Sequence, residues 1–398
     1  MNNSQWSDSA HEGEILAGQA LDYVRAILPY VTGKPIDAVA REFGLTDILK
    51  LASNENPLGA SPRATEALRL QNWDLNIYPD GGGYALKTAL AAQFALEPTG
   101  IVLGNGSNDL LEMVARAYLA PGRNAVFSAY AFAVYALATQ ATGAQAKVVP
   151  ALPPEHPAMP YGADLAAMAQ AIDADTRVVF LANPNNPTGT WVERDALLTF
   201  LQAVPPTVLV VLDEAYSEYV DRAEFPDGLA LSRQFPNLVV TRTFSKIYGL
   251  AALRVGFAVA HPAVASMLDR VRQPFNVNHL ALIAAEAALQ DEDFLARSRR
   301  VNAEGLGFLQ QAFQARGLVT IPSLANFITV QVGVPAGVVF DALLREGVII
   351  RPLGGQADTG GISCHIRITI GTQAQNERVL AALDRVLPQL AAAVGRAS

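Results

Sequence analysis

Two side chains in this chain have the makings of a reaction centre, a lone lysine and an aspartate that closes an apolar run. Of the 29 basic residues, five are lysines, Lys34, Lys50, Lys87, Lys147 and Lys246, so beyond residue 147 every fixed positive charge except one is an arginine. Lys246 is that exception. It follows the run Leu238–Arg242 behind Thr243 and Ser245, eight residues before Arg254. A lysine amine can lose its proton and condense with a carbonyl to an imine, and burial or neighbouring cations lower its pKa enough to make it nucleophile and base. Arginine can do neither. Asp213 follows the apolar run Val208–Leu212. A carboxylate at such a poorly hydrated strand end requires a cationic partner. A helix-capping role is the bland alternative for Asp213, as a solvated surface charge is for Lys246. An imine-forming lysine paired with an aspartate on a ring nitrogen is the protein signature of pyridoxal phosphate.

The phosphate of such a cofactor needs donors. Gly104-Asn-Gly-Ser-Asn-Asp109 runs into the amphipathic stretch Leu110–Leu119, which would aim backbone N–H groups and a helix dipole at an anion. Thr243, Ser245 and Arg254 would add hydroxyl and guanidinium donors. The glycines lack the third member of a dinucleotide fingerprint and the Gly-Lys-Ser/Thr ending of a P-loop, which disfavours nicotinamide and ATP. A lone Cys364 and five scattered histidines give neither a disulfide framework nor metal-ligand spacing, so no metal is expected.

Elements that could hold these residues are visible as short apolar runs alternating with amphipathic stretches. Ala125–Phe127, Lys147–Pro150, Arg177–Ala182, Val208–Leu212, Leu238–Arg242 and Arg254–Ala260 read as buried strands of a mostly parallel sheet, with helices between them. In such a sheet ligands collect beyond the carboxyl ends of the strands. The segments there are polar: Asn183 through Gly189, Asp213-Glu-Ala-Tyr216, and Thr241 through Lys246. After Pro274 a helical region, His279–Phe313, precedes short strands at Asn326–Val332, Gly347–Arg351 and His365–Ile370, the pattern of a smaller α+β unit. The expected organisation is a tail over 1–15, an N-terminal arm over 16–55 that packs with the small domain, a large domain over 56–275 and a small domain over 276–398.

Composition narrows the field from the other side. A hydrophobic content of 51% with 17% charged residues suits a large buried core, and a net charge of -8 disfavours nucleic acid and anionic membranes as partners. The uncharged stretch from Asn124 to Ala146 carries too many polar groups for a membrane span and reads as strand plus helix. No basic and apolar leader opens the chain, and a reducing, cytoplasmic setting is expected.

Taken in order, Asn54-Glu-Asn-Pro57, Tyr78-Pro-Asp80, Asn183 through Gly189, Asp213-Glu-Ala-Tyr216, Ser245-Lys246 with Gly249-Leu250 and Arg254, and Ile366-Arg-Ile-Thr-Ile-Gly-Thr372 resemble the fold-type I, pyridoxal-phosphate-dependent aminotransferases of class I/II. Within that group the chain is most similar to the histidinol-phosphate aminotransferases. The resemblance runs from Leu28-Pro-Tyr30 to Gly371. It implies an aspartate-aminotransferase-like large domain with a mostly parallel seven-stranded sheet, and a homodimer with shared active sites. It also implies that Lys246 forms the covalent link to pyridoxal 5'-phosphate, that Asp213 pairs with the pyridine nitrogen, and that Asn186 and Tyr216 bond the ring hydroxyl. Tyr130 would stack on the ring. Gly106, Ser107, Asn108, Thr243, Ser245 and Arg254 would hold the phosphate, with Tyr78 reaching in from the second subunit. Arg367 would clamp a carboxylate of glutamate or 2-oxoglutarate and Arg351 the phosphate of the other substrate, while Tyr30 and Asn54 close over it. One departure stands out: Ser128-Ala-Tyr130 replaces the family's frequent Pro-Thr-Tyr. The implied reaction is transamination between L-histidinol phosphate and 2-oxoglutarate in histidine biosynthesis. Aromatic or broad-specificity amino-acid transamination, decarboxylation of a phosphorylated amino acid, and a non-catalytic cofactor-binding regulator remain the competing readings.

Overall fold

The computed structural model describes residues 10–30, 32–70, 74–354 and 361–394. Of the expected tail, residues 1–9 lie outside this range, and from Ala10 to Gly18 the chain is helical, exposed from Gly13 on. A two-residue strand, β1 (Leu49–Lys50), ends the N-terminal arm.

Seven strands then build the large sheet: β2 (Ile101–Gly104), β3 (Asn124–Ser128), β4 (Gln145–Val149), β5 (Thr176–Ala182), β6 (Leu209–Asp213), β7 (Leu238–Thr243) and β8 (Gly256–Val259). Their order is β2-β8-β7-β6-β5-β3-β4, and β8 alone runs against its neighbours. Six of these strands match the apolar runs of the sequence. The seventh, β2, is too short and too close to the glycine loop to be recognised as a strand by pattern. The stretch from Asn124 to Ala146 is the expected strand and helix (Val134–Ala141), ending in β4. Central strands are buried on both faces, Val178 and Phe180 against one helical layer and Val179 and Leu181 against the other, which is why they read as unbroken apolar runs.

The small unit is a second sheet, β12-β13-β10-β9, made of β9 (Thr320–Ile321), β10 (Phe327–Gln331), β12 (Arg351–Pro352) and β13 (His365–Thr369). Between β10 and β12, β11 (Val348–Ile349) pairs in parallel with β1, which ties the N-terminal arm to this unit. Ile366, Ile368 and Ile370 face its core with Leu309, Phe313 and Val379.

The change of core does not fall at 275/276. The helix His279–Leu289 packs Ala281, Ala284, Ala285 and Ala288 into the core of the large sheet. The helical region is also two helices, because Asp291 caps a new one, Glu292–Ala315, by accepting from the N–H of Phe294. That long helix belongs to both units: Leu295 near its start lies in the large core, and Leu309 and Phe313 near its end in the small one. Pro274 marked a shift in composition, not the end of the large core.

Candidate active site

A cleft of about 290 Å³ opens where the carboxyl ends of β5, β6 and β7 meet the N-terminal arm and the small sheet. Its floor is Asp213, the last residue of β6, only 4% exposed. Thr241, its partner in the β6–β7 register, donates its hydroxyl to Oδ1 at 3.0 Å, and the Tyr135 hydroxyl donates to Oδ2 at 3.0 Å. Burial pushes the Asp213 carboxyl upward against the pull of these two donors and of Lys246. A protonated ring nitrogen would supply the charged donor this carboxylate lacks.

Lys246 faces the cleft from the turn after β7, its Nζ donating to the carbonyl of Ser53 at 3.0 Å. Burial, and then the positive charge of Arg367, lower its pKa to about 8. The segment around Ser53 acts as a strap. Asn54, with φ of 56°, donates its side-chain amide to the Tyr216 hydroxyl at 2.9 Å, and its backbone N–H bonds Thr369 Oγ1 on β13. The Ala52 carbonyl accepts from Arg367 Nη2 at 2.7 Å. Tyr216, buried under Asn54, has its phenol pushed up to about 12 by that burial.

At the other end of the cleft are the anion donors. Gly106, with φ of 83°, caps the helix Ser107–Tyr118, whose first residues Ser107 and Asn108 line the cleft. A Cβ on Gly106 would stand 2.4 Å from Arg254 Nη2, so glycine is what lets the guanidinium lie against this turn. Arg254 also donates to the Ser245 hydroxyl at 3.3 Å, and Thr243 and Ser245 line the same end. Helix N-terminus, hydroxyls and guanidinium suit a phosphate.

Opposite lie two arginines. Arg351 and Arg367 are directly paired on β12 and β13 and share a face of the small sheet. Phe327 lies 5.2 Å under the Arg367 guanidinium, Tyr30 lies 5.5 Å from that of Arg351, and Arg367 Nη1 bonds Asn186 Oδ1. Among the described residues, Arg367 Nε is buried without a hydrogen-bond partner. The side chains therefore fit pyridoxal phosphate: an amine of lowered pKa, a buried carboxylate for the ring, a donor-rich end for the phosphate, and an orphaned guanidinium N–H for a substrate anion.

Most of the residues singled out in the sequence come together here, with three exceptions. Gly106 acts from behind the cleft wall. Tyr78, 78% exposed, stacks on Phe275 at 4.6 Å and does not line the cleft of its own chain. Tyr130 is a correction. Its backbone is left-handed, with φ of 56°, and its ring packs edge-on against Tyr161 at 5.6 Å, towards Gly361. The aromatic of this segment that lines the cleft is Phe132. The departure at Ser128-Ala-Tyr130 was the signal, because an altered turn moves the ring-bearing position along the chain. Tyr135, Thr241 and the carbonyl of Ser53 were also missed, the first two because a buried hydroxyl looks like core in a sequence.

The chain matches the model of the family "Aminotransferase class I and II" over residues 46–383. It is 58% identical to a histidinol-phosphate aminotransferase of Pseudomonas fluorescens over 92% of this chain and 96% of that protein, and 57% identical to one of Pseudomonas aeruginosa over the same shares. Among solved structures it superposes on the histidinol-phosphate aminotransferase of Sinorhizobium meliloti in complex with pyridoxal-5'-phosphate with a TM-score of 0.84. The sequence identity there is 30%, over 94% of this chain and 98% of that one.

Proposed function

The chain belongs to the class I and II aminotransferases, and from that membership we propose that it transfers an amino group between L-histidinol phosphate and 2-oxoglutarate with pyridoxal 5'-phosphate as cofactor. The products are imidazole-acetol phosphate and glutamate. The observation that carries the substrate choice is the Arg351–Arg367 pair facing the amine of Lys246 across one cleft. Two guanidinium groups side by side suit a phosphate dianion or the carboxylates of a 2-oxo acid.

When bound, pyridoxal phosphate supplies an aldehyde that takes up amino groups and a pyridine ring that draws electrons away from the substrate's α-carbon. The protein does the rest. Lys246 Nζ would hold the cofactor covalently and, once released, would take the α-proton of the amino donor and return it two bonds away, on the far side of the transferred nitrogen, which its lowered pKa permits near neutral pH. Asp213 holds a proton on the ring nitrogen. Asn186 and Tyr216 bond the ring hydroxyl, and Phe132 covers one face of the ring. Ser107, Asn108, Thr243, Ser245 and Arg254 hold the phosphate. Arg367 binds the substrate carboxylate and Arg351 the substrate phosphate, with Tyr30 and Asn54 closing over both.

The proposal includes a homodimer in which the partner subunit's Tyr78 completes the phosphate site. Its support is the exposed apolar group of Leu75, Ile77, Tyr78 and Tyr84, each more than 60% exposed. It also includes a cytoplasmic setting, where a lone thiol such as Cys364 stays reduced. No helix among the described residues is long and apolar enough to cross a membrane. Single-turnover rates with histidinol phosphate, phenylalanine and aspartate test the substrate. Histidinol phosphate should react fastest, and a preference for phenylalanine would replace this reading with an aromatic aminotransferase.

A further inference from the structure

We infer that Tyr135 is a positioning residue for the reaction, whose buried hydroxyl fixes the Asp213 carboxylate in the orientation that meets the cofactor's ring nitrogen. The inference rests on the reading of Asp213 given above. Tyr135 is fully buried in the helix Val134–Ala141, outside the cleft. Its ring is stacked on Phe180 at 4.9 Å with 7° between planes, and set edge-on to Phe127 at 6.2 Å and Phe132 at 5.9 Å. Aromatic neighbours on several sides leave the ring little freedom to turn, so its hydroxyl has a fixed aim. That aim is Asp213 Oδ2.

The carboxylate thereby receives one side-chain donor on each oxygen, Tyr135 from the helical layer and Thr241 from the neighbouring strand. A carboxylate held by two fixed donors cannot rotate about its Cβ–Cγ bond without losing both. Asp213 itself lines the cleft. The donor is also of a suitable kind. Burial and the Asp213 charge raise the phenol well above its ordinary pKa of 10.0, so Tyr135 donates throughout the working range and never competes for the ring proton. The other groups bearing on Asp213 are Lys246 and the backbone N–H of Ala215, while Tyr216 faces Tyr135 across the same buried space. Phe132 adds a mechanical link. The ring that walls the cleft touches the ring that aims the hydroxyl, so cofactor face and carboxylate are set by two aromatic residues three positions apart.

The test loads wild-type enzyme, Asp213→Asn, Tyr135→Phe and Tyr135→3-fluorotyrosine with pyridoxal phosphate. It follows the near-visible absorbance against pH, the cofactor dissociation constant and the steady-state constants. Tyr135→Phe keeps every ring contact. It should displace the absorbance midpoint in the same direction as Asp213→Asn, weaken cofactor binding by about tenfold and lower kcat by about tenfold with KM within about twofold of wild type. Fluorination strengthens the phenol as a donor without changing its shape, and should displace the midpoint in the opposite direction. This variant decides the matter if Tyr135→Phe does not fold. Coincident profiles for wild type and both Tyr135 variants, with a displaced Asp213→Asn profile, would overturn the inference and leave the reading of Asp213 standing. An Asp213→Asn profile identical to wild type would overturn both.

Discussion

The two walls of the cleft are built on different principles. The wall from the large sheet takes Asp213, Thr243, Ser245, Lys246 and Arg254 from consecutive strand ends, a stretch of 42 residues fixed by the parallel β6–β7 ladder and the antiparallel β7–β8 ladder. The wall from the arm and small sheet takes Tyr30, Asn54, Arg351 and Arg367 from opposite ends of the chain, joined by β1 with β11 and by the hydrogen bonds of the strap. Asp213 and Thr243 are almost fully buried, whereas Tyr30 is 48% exposed. In the proposed function, chemistry sits on the rigid wall and recognition on the assembled one. Substitutions in the first should act on kcat and substitutions in the second on KM.

The largest effect is expected at the rigid wall. Lys246→Ala should lower turnover by about four orders of magnitude and abolish the near-visible absorbance of the bound cofactor. Retention of both would break the comparison at its centre. Lys246→Arg keeps the charge and should be equally inactive. Asp213→Asn should lower kcat by about two to three orders of magnitude with a smaller change in KM. On the assembled wall, Arg367→Lys keeps the charge and loses the two-pronged donor. KM for 2-oxoglutarate should rise by about tenfold to a hundredfold while kcat changes little. An equal fall in kcat would show that the two walls do not divide the work. Tyr30→Phe keeps the ring over Arg351 and should change KM by about twofold at most.

The smallest effect is one of pH. In the cofactor-free protein, capture of pyridoxal by Lys246 should rise with pH up to about 8 and then level off, where an exposed lysine would continue towards its ordinary 10.5. Between those two values the unfolded chain binds more protons at this site than the folded one. The contribution of Lys246 to stability therefore improves as pH rises through that window. Melting temperatures of wild type and Lys246→Met across the same range check the sign, since their difference should narrow as the pH rises.

The same contrast explains what is legible in the sequence alone. The rigid wall is legible because each of its residues lies within a few positions of the end or start of an apolar run, so its place at a strand end is a local property of the sequence. The order of the strands is not, and β2 escapes notice because three apolar residues before a glycine loop give no period to count. The assembled wall came through resemblance alone. Nothing near Arg351 says that it will stand opposite Arg367, and the strap carbonyls at Ala52 and Ser53 act through backbone that every residue possesses. Tyr130 shows the limit of carrying a role along a motif. Its position was kept while the turn that aims it was not, and Phe132 stands in its place at the cleft. Tyr135 is invisible for the converse reason, since its apolar surroundings disguise a polar task.

The pairing of Arg351 with Arg367 makes the small sheet a charge balance. Two guanidinium groups directly opposite on adjacent strands repel each other, and the Arg351 charge holds the Arg367 pKa below its usual value in addition to the effect of burial. A dianion between them turns that repulsion into a bridge across β12 and β13. Substrate then closes the seam between two strands as well as occupying a site, and the sheet should tighten most for the ligand with the most negative charge. With the cofactor bound, so that its own phosphate fills the Arg254 end of the cleft, inorganic phosphate should raise the melting temperature of the wild-type protein, and Arg351→Gln should lose that response.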